Sequence, residues 1–278
     1  MHTMWKGSIS FGLVNIPIKL HAATENKDVK FRQLHKECQT PIKYKKECPV
    51  CEREVGHDEI VKAYEYSKNK FVVLDEEDLA ELKEASGDKS VEILDFVELD
   101  EIDPIYFEKS YYLSPNDGGS KAYALLRQAL QDSGKIGVAK IILRSKEQLA
   151  AIRIYQNTLV METIHYPDEV RSADDVPNIP ESENIVKKEL DTAVMLIDQL
   201  TKPFEPGNYQ DDYRNKLLSM IEHKKNNEDV TIEAKQPKQD NVTNLMDALE
   251  ASVDKANKSK AKNKSKSKKK TSTSKKAK

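Results

Sequence analysis

The stretch Gly7-Ser-Ile-Ser-Phe-Gly-Leu-Val-Asn-Ile-Pro-Ile-Lys-Leu20 decides the fold class. Its apolar side chains recur at every second position, which places them on one face of an extended chain. Ile9, Phe11 and Leu13 occupy one phase, and Val14, Ile16, Ile18 and Leu20 the other. The phase slips between Leu13 and Val14, beside Gly12 and ahead of Pro17. That slip predicts a bulge, or a strand bending from one sheet layer to the next, a device common in barrels.

Further strands are expected at Phe71 to Leu74, Val91 to Leu99, Ile105 to Leu113, Ile136 to Leu143, Leu149 to Tyr155 and Leu159 to Tyr166. Several are apolar on both faces, most clearly Ile136 to Leu143, as in strands covered from both sides. Two helices interrupt this pattern. Asp75 to Ala85 opens with an acidic first turn, and Ser120 to Asp132 has a cap candidate in Ser120 and a stop at Gly134.

Beyond the Pro-rich hinge from Pro167 to Pro180 the period becomes helical. Val186, Leu190, Ala193, Val194, Ile197 and Leu200 form one apolar stripe, and Tyr213, Leu217, Met220 and Ile221 a second. Helices at the end of a β domain either cap their own barrel or pack against a second copy, and both roles are expected here in a homodimer. The fold class is mixed β with α.

After Glu222 the chain is polar and reads as a linker. Inside it Val242, Leu245, Met246, Leu249 and Val253 share one helical face. A helix of about a dozen residues is unstable alone in water. Such a segment either folds into a partner's groove or docks back on its own domain.

Charge is segregated along the chain. Residues 255–278 carry 12 lysines and no acid, while the preceding residues set the other 33 basic groups against all 47 acidic ones, a balance of -14. Within that body, residues 1–70 and 118–166 are each net +4, whereas residues 71–117 and 167–234 are net -12 and -8. If the positive segments pack side by side they steer a polyanion to one place. An ordinary mixed surface has the same counts.

The 278 residues hold 3 cysteines, too few for an even disulfide framework, which suits a reducing compartment. No apolar run reaches the length needed to cross a bilayer, and no secretory hydrophobic segment opens the chain. A cytosolic protein is expected.

The metal candidate is His35-x2-Cys38-x9-Cys48-x2-Cys51. Two knuckles with matching gaps can complete a tetrahedron around zinc, and a closed Cys3His shell leaves no open position, so the role would be structural. A redox CxxC and buried free thiols are the competing readings, and His57 is a less symmetric substitute for His35. Between the ligand pairs, Ile42-Lys43-Tyr44-Lys45-Lys46 reads as a strand with alternating cations. Together with Lys140, Arg144, Lys146 and Arg153 from the other positive segment, these lysines are candidates for phosphate contact.

Catalytic signals are poor. The chain has no phosphate-binding GxxxxGK[ST], GxSxG, HExxH or dinucleotide fingerprint. The acidic runs Asp75 to Asp78 and Glu98 to Asp103 read as solvated faces or helix-start charges, not as a magnesium site.

Trp5-Lys-Gly-Ser-Ile-Ser-Phe-Gly-Leu-Val-Asn-Ile-Pro-Ile-Lys19 closely resembles the opening of the bacterial Ku proteins, DNA-end-binding factors of non-homologous end joining. The resemblance continues through Ile42 to Cys51, Leu143 to Arg153, Lys202 to Arg214 and Val242 to Ser252, in order and across nearly the whole chain. It implies a non-enzymatic homodimer whose β-barrel cores and bridges close into a ring around duplex DNA, and which recruits an ATP-dependent DNA ligase. In those terms residues 1–228 are the Ku core, with a zinc hairpin at 34–57 and a helical arm at 182–222. Residues 229–254 are a linker and ligase-docking helix built on Val242, Leu245, Met246, Leu249 and Val253. Residues 255–278 are a disordered basic tail, with Lys266, Lys268, Lys269 and Lys270 among the DNA-binding candidates. Two readings from other classes compete: a metal-dependent nuclease or lyase acting at DNA ends, and a zinc-containing regulator of one operator.

Overall fold

The computed structural model describes residues 1–85, 90–143, 146–180, 185–226, 246 and 248–254. They divide into two compact units, Met1–Val176 and Pro177–Lys278.

The first unit is built on a closed seven-stranded barrel. Its opening strands are β1 (Trp5–Phe11) and β2 (Val14–Ala22), which pair antiparallel with Ile9 opposite Ile16 and Phe11 opposite Val14. The slip at Leu13 to Val14 is therefore a reversal of the chain, and the expected bulge or bent strand is not found there. Gly12 holds φ at +56° in the two-residue turn, a value glycine reaches without a Cβ clash. Because the chain turns back, both phases of the opening stretch face inward. Ile9, Ile16 and Ile18 are all 0% exposed, while Leu13 at the tip is fully exposed.

The chain next leaves the barrel through β3 (Glu47–Cys48), β4 (Arg53–Glu54), β5 (Lys62–Ser67), β6 (Lys70–Leu74) and helix α1 (Glu76–Ala85). β3 and β4 form one two-stranded sheet and β5 and β6 another. The expected strand at Ile42 to Lys46 does not form: its backbone is bonded only at its two ends, where Ile42 N–H donates to Gln33 O and Lys46 O accepts from Val55 N–H. Asp75 starts α1 as its acidic context predicts: its carboxylate accepts from Asp78 N–H, and Asp78 reciprocates.

The chain rejoins the barrel at β7 (Ser90–Val97) and continues through β8 (Phe107–Pro115), helix α2 (Ser120–Ser133), β9 (Ile136–Leu143), β10 (Lys146–Tyr155) and β11 (Thr158–Ile164). The barrel order is β1-β2-β8-β11-β10-β9-β7, closed by parallel pairing of β1 with β7. The barrel's bulges lie in β7 between Ile93 and Asp95 and where β11 meets β8 near Thr163.

Helix α2 buries Tyr123, Leu126 and Leu130. The Tyr123 hydroxyl donates to Leu113 O at 2.8 Å and accepts from Leu159 N–H at 2.9 Å, tying the helix to two barrel strands. The helix is preceded by Gly119, not capped by Ser120, which is its first residue. Glycine is required at 119, since a Cβ there would lie 2.5 Å from Pro17 O. Gly134 ends the helix at φ +70°, as expected.

The second unit contains α3 (Lys187–Leu200) and α4 (Asp212–Lys225). Asp211 caps α4 through a bond from Arg214 N–H. The apolar stripe of α3 is left outside: Leu190, Val194, Ile197 and Leu200 are exposed, and the helix's one buried residue is Thr192 on another face.

Candidate nucleic-acid interface

The cationic residues fall into two environments. On the barrel they are paired with carboxylates, on the neighbouring strand for Lys140 and Arg153 and in the turn after β11 for Lys146. Lys140 of β9 lies 3.1 Å from Glu147 of β10, and Lys146 lies 2.8 Å from Glu169. Arg153 of β10 grips Glu162 of β11 through Nε at 2.6 Å and Nη2 at 2.7 Å, and Glu162 also accepts from the Ser110 hydroxyl. Burial pushes the Glu162 carboxyl up, but the Arg153 bonds and charge outweigh it and hold the group below the usual carboxylate range. Glu169 is held at about 2 by the Lys146 ammonium and by the Tyr166 backbone N–H. Burial and the bond to Glu147 push the Tyr166 phenol up to about 12. These barrel cations are already compensated before any phosphate arrives.

The excursion from Ala23 to Asp75 differs. No residue in it is buried. Lys45 is paired with Glu54 at 2.5 Å and Arg53 with Glu59. Lys43 and Lys46, however, make no ion pair with the described residues, and neither do Arg32, Lys36, Lys62 and Lys70. Those last four were not singled out in the sequence. For Lys62 and Lys70 the signal is the register, which sets Leu74 and Ser67 opposite them and no carboxylate. Exposed rings stand among the free cations, with Tyr44, Tyr64 and Phe71 at 81%, 67% and 59% exposure. A long surface of unpaired ammonium and guanidinium groups with interleaved aromatics can hold a phosphate backbone without reading bases.

The four metal candidates form two pairs. His35 Nδ1 lies 3.1 Å from Cys38 Sγ. Backbone N–H groups of Cys51 and Val50 donate to Cys48 and draw its thiol below the usual range, while its hydrogen bond with Cys48 pushes Cys51 up. Cys38 is lowered by the Thr40 hydroxyl first and by the Thr40 backbone N–H second. Each pair therefore has the backbone support of a thiolate knuckle. Among the described residues, no three His, Cys, Asp or Glu groups converge as a metal cluster. His57 stands in a 3-10 turn outside both pairs.

Arg144, Val242, Leu245 and the tail lysines Lys266, Lys268, Lys269 and Lys270 lie outside the described residues. Met246, Leu249 and Val253 are described and half-buried. Among the described residues, no helix is long and apolar enough to cross a membrane.

A closed barrel with an exposed cationic excursion defines a scaffold that holds a ligand on its surface. The profile of the Ku70/Ku80 beta-barrel domain matches residues 10–192. Relatives described as non-homologous end joining protein Ku include one from Bacillus subtilis (strain 168), 57% identical over 93% of this chain and 83% of its own length. Others come from Heliobacterium modesticaldum, 47% identical over 91% of both chains, and from Archaeoglobus fulgidus, 40% identical over 91% of this chain and 99% of its own. The chain belongs to the Ku family. Ku proteins are non-enzymatic, so the expectation of no catalytic centre stands on the family itself.

Proposed function

We propose that two copies of this chain close into a ring that accepts the ends of linear double-stranded DNA without sequence preference and hands them to an ATP-dependent DNA ligase in non-homologous end joining. The protein works in the cytoplasm, at the nucleoid. The observation that carries this reading is the Ku-family barrel bearing an excursion with no buried residue and several unpaired cations. Phosphate contact supplies affinity that falls steeply with salt, and topology supplies the preference for ends, since a closed ring passes only over a terminus. The helices α3 and α4 belong to the dimer arm, the segment from Val242 to Val253 docks the ligase, and the lysines of residues 255–278 add nonspecific affinity.

The test is competition between a linear duplex and a covalently closed circle of the same sequence, with the tail removed to exclude tail-only contacts. Binding confined to the linear form supports the ring, and equal binding to the circle overturns it. Intact strands after incubation with magnesium or manganese separate the clamp from a nuclease.

Zinc is part of the same proposal. His35, Cys38, Cys48 and Cys51 would hold it, and the ion would fasten the two knuckles to each other, a structural role with no open coordination position. Metal analysis of the wild type beside Cys48→Ser decides it: stoichiometric zinc lost in the variant supports the site, and a folded, metal-free wild type removes it.

A further inference from the structure

The C-terminal amphipathic segment has a shielded side in the chain by itself. Residues 248–254 are helical, with Met246, Ala248, Leu249 and Val253 half-buried and Glu250, Ala251, Ser252 and Asp254 exposed. Positions 246, 249 and 253 share one helical face, and Glu250 stands in that stripe, four residues after Met246. Glu250 marks what the stripe faces: its Oε1 lies 3.7 Å from Nζ of Lys188, in the first turn of α3.

One turn along α3 from Lys188 is Thr192, the buried residue of that helix. The Thr192 hydroxyl is satisfied within α3 by donating to Lys188 O at 2.8 Å, so its methyl side is free for an apolar neighbour. Leu196, one turn further on the same side, is half-buried, whereas Leu190, Val194 and Ile197 of the more apolar stripe are exposed. A helix of this length does not persist in water without a seat. The charges also match at the one recorded pair, Glu250 with Lys188.

We propose that the Lys188–Thr192 face of α3 is the seat of the chain's own C-terminal segment, so that the side carrying Met246, Leu249 and Val253 is covered until a partner competes for it. The seat stands on the contacts alone; its consequence for recruitment rests on the ligase-docking reading given above. A partner reading that side meets only the released fraction, and its apparent affinity is lowered by that fraction.

Hydrogen exchange on the full-length protein tests the seat. Residues 246–254 should exchange on the order of tenfold more slowly than an unstructured chain. Thr192→Arg should remove that protection while α3 and β10 keep theirs. Lys188→Glu should weaken it, and adding Glu250→Lys should restore it. Unprotected exchange in the wild type, or protection unchanged in both single variants, overturns the seat. Should Thr192→Arg unfold α3, the charge reversal and its rescue still decide. Binding to a purified bacterial end-joining ligase forms a separate arm. With the seat lost, apparent affinity should rise about threefold to tenfold. Lost protection with unchanged ligase affinity overturns the masking, and a further Leu249→Glu change without effect on that affinity shows the ligase-docking reading itself to be at fault.

Discussion

The barrel and the excursion it carries are made from similar residues and are stabilised in different ways. The barrel strands put Ile9, Ile16, Val91, Ile152 and Leu159 fully inside, and their polar neighbours are bonded across strands. In the excursion from Ala23 to Asp75, β5 and β6 pair only with each other, and Tyr64, Phe71 and Val73 stay more than half exposed. A lone two-stranded sheet is marginal in water. The buried apolar core therefore resides in the barrel, and the excursion adds exposed surface with little burial of its own.

The sharpest break of this comparison is in stability. Ile152→Ala should cost about 2–5 kcal/mol in denaturant unfolding, because it opens a void in a fully buried site. Phe71→Ser, an equally apolar loss in β6, should move the unfolding free energy by only about 0.5 kcal/mol. If the two changes cost the same, the contrast is wrong.

The next effect is in DNA affinity. The pair Lys43→Glu and Lys46→Glu should weaken binding to a linear duplex and flatten its salt dependence by about 0.9 in log-log slope for each lost phosphate contact. Lys140→Ala and Lys146→Ala remove cations that already have carboxylate partners and should leave the slope nearly unchanged. Titrations at several salt concentrations separate the two pairs of substitutions.

The smallest effect is in pH. With its pKa depressed, Glu169 contributes stability that is complete above the ordinary carboxylate range. As pH falls, the unfolded chain takes up the proton first, and the contribution is lost on the way down to about 2. Glu169→Gln should flatten the pH dependence of thermal unfolding in that window, with a small loss of stability at pH 7 that fades as pH falls towards 2.

Much of the barrel is legible in period two alone, because each strand has one face that must leave water. The turn at Gly12-Leu13 was harder to read: it lacks the Asn-Gly or Asp-Gly signature of a hairpin, and an apolar Leu13 at its tip continues the alternation. The parallel closure of β1 with β7 joins residues some 80 apart and leaves no local mark. The site shows the same limit. Counting cations finds Lys140 and Arg153, but only register shows that Glu147 and Glu162 neutralise them. Periodicity likewise picks out the apolar stripe of α3 without saying what covers it, and it is Thr192, off that stripe, that is buried. The Cys and His spacings set His35 beside Cys38 and Cys48 beside Cys51, while convergence of the two pairs is a matter of long-range packing that spacing does not encode.

The most direct measurement of the clamp is retention after the ends are removed. The protein is loaded on a linear duplex, the duplex is ligated into a circle, and salt is raised until phosphate contacts fail. The ring predicts that protein stays on the circle and leaves only when the DNA is cut. Release from the circle at the same salt as from the linear duplex would contradict it.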